Sequence, residues 1–192
     1  MKKYLLDNLI IQLGSISRIA AIENANRTEQ AIKNLIDMIR YKFGRQEQIL
    51  RLKDEIEAAN NFIEIFKIRF GDILQYDMDI EESCLDLYIP HYTIMTFVEN
   101  CIYHAFENKE GIKKITSRIY KLNHQLVIKI HDNGIGCYSN EYVEDKTCNK
   151  EYGTITSTFD RLCNYYKVQD ILKIKSSERK GTLVVINLPL LQ

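Results

Sequence analysis

The 192-residue chain lacks a surplus of either charge: 26 Lys and Arg stand against 26 Asp and Glu, for a formal net charge of +0. With no field of one sign to concentrate a polyanion, bulk binding of nucleic acid has no basis in the composition. Paired cysteines are missing as well. Cys84, Cys101, Cys137, Cys148 and Cys163 are scattered and never in C-x-x-C spacing. That excludes a disulfide framework or a zinc ribbon and reads as reduced thiols of a cytosolic protein. No signal peptide and no run of about 18 apolar residues is read here, so the chain is expected not to span a membrane by itself. It remains compatible with being the soluble portion of a membrane receptor. Internal repeats and low-complexity tracts are absent, and no histidine precedes His91.

What is present begins with helical periodicity. Leu6, Leu9, Leu13, Ile16 and Ala20 are spaced by three and four, and Ile32, Leu35, Ile39 and Phe43 continue an apolar face. Between them lies a polar break in which Asn26 or Thr28 is suited to cap a new helix. From Ile49 the seam is stricter, through Leu52, Ile56, Ala59, Ile63, Phe66 and Phe70. Phe62, Ile65 and Ile68 widen it beyond a two-stranded coil, which fits a bundle of several helices. A second copy of the chain is expected to complete that bundle. The alternative is a seam packed on the rest of the same chain.

Gly71-Asp72 ends this region, and the period changes from about 3.6 to 2. Strands are predicted at Tyr76–Ile80, Cys84–Leu87, around Ile115–Ile119, at Leu126–Ile130, Ile171–Lys175 and Thr182–Leu188. Asn123-His124 is expected to be a hairpin turn. Pro90 is placed in the first turn of a buried helix reaching Phe106, a second helix covers Thr154–Tyr166, and Cys137–Tyr152 reads as a loop. The expected fold class is therefore α+β. A helical dimerisation segment over 1–74 precedes a sandwich over 75–192 made of one mixed sheet with helices on one face.

Three constellations in the second half carry chemistry. Glu99-Asn100, with His104 one turn on, lies in a helix expected to be buried, where Glu and Asn need partners. An amide oxygen there suits Mg²⁺, which takes hard oxygen ligands and shares phosphates and waters. Asp132-Asn133-Gly134-Ile135-Gly136 follows an apolar strand. A carboxylate at a strand end can accept a hydrogen bond from an exocyclic amine, and the glycines permit a tight turn or close approach of a ring. By itself the tripeptide Asp-Asn-Gly is mainly a turn signal. Gly181-Thr182 opens the last strand, and the Thr182 hydroxyl is able to bond a base or its water.

In this order the three motifs resemble the ATPase domain of histidine kinases, the Bergerat ATP-binding fold. More narrowly, IRYKF, EIEAANNFIEIFKIRFGD and VENCIYHAF are similar to sensor kinases of the LytS/YesM type. The resemblance covers nearly the whole chain. It implies that Asn100 ligates Mg²⁺ and that Glu99 orients the metal water or the attacking group. It further implies that Asp132 receives the adenine amine, with Gly134 and Gly136 shaping the adenine wall. Cys137–Tyr152 would be the ATP lid, with His104 or Lys150 near the phosphates. Implied partners are a second copy of the chain and the receiver domain of a response regulator, and the implied location is cytoplasmic.

Two departures from that pattern stand in the sequence. The second glycine box falls on Tyr152-Gly153-Thr154-Ile155 ahead of Arg161-Leu162, where both expected glycines are replaced and Gly153 lies between them. Counting back from Leu13-Gly14-Ser15-Ile16 puts Asp7 where the family carries its phosphoacceptor histidine. Three functions stay open on this reading. They are a kinase core with impaired self-phosphorylation, a kinase acting on a partner in trans, and an interaction module whose nucleotide site has decayed.

Overall fold

In the computed structural model, residues 2–44, 49–136 and 153–190 are described. The chain opens with α1 (Lys2–Ile22), which turns through Asn24 in the left-handed region (φ 56°) into α2 (Asn26–Gly44). α1 lays one side along α2, burying Ser17 and Ala20, while Leu9, Ile11, Ile16, Ile19 and Ile22 stay exposed. Two of the five seam positions expected on this helix, Leu9 and Ile16, therefore face outward. By length and composition its Tyr4–Ile22 stretch (19 residues, mean hydropathy 1.4) is sufficient to cross a membrane. This corrects the reading that no such run exists.

Ile49–Arg51, assigned to a helix by its spacing, is a short strand, β1, paired antiparallel with β3 (Tyr88–Pro90). Pro90 thus ends a strand instead of opening a helix. Cys84–Leu87 is not a strand either: Glu82–Cys84 is a 3-10 turn that buries Cys84. α3 (Leu52–Phe70) carries the strict seam. It ends at Gly71, whose φ of 61° is the left-handed geometry that glycine takes without a Cβ penalty.

The main sheet has the order β2-β4-β5-β7-β6, formed by β2 (Leu74–Ile80), β4 (Lys113–Leu122), β5 (Gln125–Asp132), β7 (Gly181–Pro189) and β6 (Leu172–Ser177). β2 runs parallel to β4, and the other pairs are antiparallel, giving the mixed sheet expected. Asn123 and His124 both have positive φ (50° and 61°), the backbone that a two-residue hairpin between twisted strands requires. Ile115, Ser117 and Ile119 point into the core, while Arg118 pairs with Asp79 on the outer face.

Three helices cover the inner face: α3, α4 (Thr93–Asn100, continued by a π turn over Cys101–Ala105) and α5 (Gly153–Tyr166). Leu52, Ala59, Phe62 and Ile63 of α3 share one core with Phe97 of α4, Ile115 and Ile128 of the sheet, and Leu162 of α5. The wide seam of α3 is therefore satisfied within the chain. The surface that lacks a partner lies on α1.

Candidate nucleotide site

The π turn does the assembling. Its bond from the Phe106 amide to the Cys101 carbonyl (3.0 Å) inserts an extra residue into the helix just after Asn100. The turn then packs on the segment that follows β5. The Cys101 thiol lies 3.8 Å from Asp132 Oδ2, and the Ile135 amide donates to the Ala105 carbonyl at 3.0 Å. Asn100 and Asp132, 32 positions apart in sequence, thus stand on adjoining elements. Thr182 joins them through the sheet: Asp132 pairs with Thr182 across β5 and β7, in a row continued by Ile115 and Tyr76 on one side and Ser176 on the other.

Asp132 is 4 % exposed. Its Oδ1 accepts the Gly134 amide at 2.7 Å, and the Thr182 backbone amide also favours its charged form. Burial outweighs both and holds its carboxyl above the ordinary aspartate value. The same burial, with Asp132 beside it, lifts the Cys101 thiol well above its usual range, so this sulfur is a protonated donor and not a nucleophile. The Thr182 hydroxyl lies 2.9 Å from that of Ser176, which leaves it able to accept or donate once more.

The glycines have a nearer reason than a ligand. A Cβ on Gly134 would come within 2.4 Å of the Ala105 methyl, and one on Gly136 within 1.9 Å of the Ser177 carbonyl oxygen. Both close approaches are of chain on chain, and they lock the turn against the π turn and the β6–β7 connection. Asn100 Nδ2 is buried without a hydrogen-bond partner among the described residues. Since an amide exchanges oxygen and nitrogen by a half-turn, Asn100 has spare polar capacity where a hard cation and its waters would need an oxygen. The residues therefore fit Mg²⁺. His104 is on the same π turn but exposed, and Thr154 is exposed at the start of α5, whose first residue is Gly153. Lys150 and Cys137–Tyr152 lie outside the described residues. Asp7 is an exposed residue of α1.

Sequence reasoning missed a cluster at the start of α4. Tyr92 has φ 66° and ψ 24°, unusual for a bulky residue, and the conformation is held by Glu55 of α3. Glu55 is 0 % exposed and accepts the Tyr92 amide (2.5 Å), the Ile94 amide (2.9 Å) and the Tyr41 hydroxyl. A carboxylate from α3 thereby caps the N-terminus of α4. His91 Nε2 donates to the Tyr41 carbonyl at 2.8 Å. Lys42 Nζ reaches Glu99 Oε1 at 2.8 Å. A charged residue inside the apolar α3 seam was the signal available. A groove of about 700 Å³ between α2, α3 and β2, lined by Arg27, Asn34, Lys67 and Tyr76 among others, includes neither Asn100 nor Asp132.

Residues 9–74 match the sequence profile of the histidine kinase family. An uncharacterised sensor-like histidine kinase of Staphylococcus epidermidis is 29 % identical over 168 residues, covering 84 % of this chain and 32 % of that protein. The sensor protein LytS of Enterococcus faecalis is 25 % identical over 187 residues, covering 93 % and 32 %. This chain thus spans about a third of those relatives' length. Among solved structures, the histidine kinase domain of the blue-light activated kinase from Erythrobacter litoralis superposes with a TM-score of 0.56 at 14 % identity, covering 98 % of this chain and 94 % of that one. The catalytic domain of the histidine kinase ThkA gives 0.56 at 10 % identity over 75 % and 97 %. The fold is that of histidine kinase ATPase domains, and the resemblance to LytS-type sensor histidine kinases holds along most of the chain.

Proposed function

We propose that this relative of LytS-type sensor histidine kinases is the ATP-binding core of a two-component kinase. The observation that carries the reading is the junction of the buried Asp132 carboxylate with Asn100, whose amide has a buried atom to spare. Asp132 would accept the adenine amine, with Thr182 beside it, and Asn100 would hold Mg²⁺. That ion would supply charge neutralisation at the phosphates. The protein's part is positioning: the sheet fixes Asp132, the π turn fixes Asn100, and Glu99 stands next to it on the helix. The γ-phosphate would pass to a histidine and then to a response regulator. With Asp7 at the acceptor position, the chain has no imidazole there to attack it. Two chains would associate through the exposed face of α1.

That face suits a protein partner better than lipid. Asp7 and Arg18 lie within the apolar stretch, each near one of its ends, and both charges would have to reach the headgroups if it spanned a bilayer. The other side of the helix is already covered by α2. On this reading the domain acts in the cytoplasm, and a membrane anchor would belong to a sensor region. A decayed interaction module is favoured only by the altered glycines around Gly153, and a trans-acting kinase by the missing acceptor. The ordered nucleotide residues outweigh the first.

The test is calorimetric titration of the chain with ATP, with and without Mg²⁺. Saturable binding that strengthens with Mg²⁺ is expected, and absence of binding at millimolar ATP would remove the kinase reading. Incubation with labelled ATP should leave the chain free of acid-labile phosphohistidine, while Asp7→His gains weak label.

A further inference from the structure

The last turn of α2 carries Tyr41 and Lys42, and both side chains reach into the nucleotide half. The Lys42 ammonium lies 2.8 Å from Glu99 Oε1 and 5.5 Å from the centre of the Tyr92 ring. Glu99 is 8 % exposed and directly precedes Asn100. Among the described residues no other Lys or Arg pairs with it. A carboxylate so far out of water needs a cation or a strong donor to hold it in one rotamer.

Lys42 does not arrive there by chance of a flexible tip. Its neighbour Tyr41 is anchored at both ends. The hydroxyl donates to the buried Glu55 and accepts the Tyr92 amide at 3.2 Å, and the carbonyl accepts His91 Nε2 at 2.8 Å. The Tyr41 ring lies 4.5 Å from that of His91 and 5.8 Å from that of Tyr92. Arg161 of α5, half-buried, adds its charge to the field at Glu55. One buried carboxylate thus ties α2, α3 and α4 together, and the last turn of α2 is fixed relative to the helix that carries Asn100.

We propose that Lys42 is a positioning residue of the nucleotide site: it holds the Glu99 carboxylate beside Asn100 and so makes the end of α2 part of Mg²⁺-dependent nucleotide binding. The proposal rests on the function given above. It assigns a role to the helical segment that the nucleotide residues alone do not require. A shift of α2 that withdraws Lys42 leaves the buried Glu99 without its cation, next to Asn100.

The experiment is titration of the whole chain with ATP in Mg²⁺ and with ATP in a chelator. Lys42→Ala should weaken binding in Mg²⁺ about fivefold to tenfold, the scale of one partly buried ion pair. Binding in chelator should change by less than about twofold, and Lys42→Arg should restore most of the loss. The Lys42 side chain is 37 % exposed, so its removal is not expected to unfold the chain, and Lys42→Gln provides a larger neutral replacement. In the Glu99→Gln background, Lys42→Ala should add nothing. Lys33→Ala, which removes an ion pair with Glu29 elsewhere on α2, should leave both affinities unchanged. Equal losses with and without Mg²⁺, or additive losses with Glu99→Gln, would overturn the positioning role while leaving the kinase reading intact. A wild-type chain that binds no nucleotide would overturn that reading first, and the inference with it.

Discussion

α1 and α3 are helices of 21 and 19 residues, both apolar on more than one side, yet they meet opposite fates. α3 buries Leu52, Ala59, Phe62 and Ile63 against a sheet and two helices. α1 leaves Ile19 54 % and Ile22 80 % exposed. The difference lies in what each helix is tied to. α3 leads directly into β2 and delivers Glu55 to the head of α4, whereas α1 touches the rest of the molecule chiefly through α2. A three-four seam announces burial but not the partner. Here the stricter seam is intramolecular, and the looser one is left largely exposed.

The contrast breaks most sharply at Phe62. Phe62→Ala should cost about 3–5 kcal/mol, and sheet and helices should unfold together in urea because they share one core. Separate transitions for the helical and sheet halves would contradict this. Next comes Glu55→Ala. It strips the Ile94 amide and the Tyr41 hydroxyl of their acceptor and leaves the Tyr92 amide only the Tyr41 oxygen, at about 1–3 kcal/mol for each group left unpaired. A total near 3 kcal/mol is expected from denaturant unfolding, with Tyr92 relaxing from its left-handed backbone.

A smaller effect concerns pH. Burial raises the Asp132 carboxyl above its unfolded value. As pH rises through the interval between the two, the folded state is charged the cost of ionising Asp132, and stability falls. Nucleotide affinity should rise over the same interval, because the ionised carboxylate is the better acceptor. Stability and affinity measured from pH 4 to 7 should therefore move in opposite directions, and Asp132→Asn should flatten both curves. Smallest in stability is Ile19→Asp on the exposed face of α1. It should change unfolding by no more than about 0.5 kcal/mol while shifting the mass in sedimentation from dimer to monomer. An unchanged dimer would place the interface elsewhere.

The sheet was largely legible because alternation is a local signal. The alternation around Ile115–Ile119 marks a strand without knowledge of the fold, and Asn123-His124 announced its turn. Cys84–Leu87 alternates too, but its backbone turns because Cys84, Leu85 and Leu87 close a loop against the start of α3. Pro90 suited a helix start equally well, and only its pairing with Ile49 decides for a strand. The site was legible as motifs and not as causes. Gly134 and Gly136 were noticed for a ligand's approach, while their crowding comes from Ala105 and Ser177. Glu55, Tyr41 and Lys42 were invisible as a site because, apart from the Tyr41–Glu55 bond, their partners lie 37 to 57 positions away.

On the proposed function, the buried carboxylate at the end of β5 receives adenine. Calorimetry of ADP binding to the chain and to Asp132→Asn tests it most directly, since ADP retains the base and needs no transfer of phosphate. Loss of one charge-assisted hydrogen bond, about 1.5–3 kcal/mol, predicts that affinity falls roughly tenfold or more. Equal affinity in the two proteins would mean that adenine is not bound at Asp132.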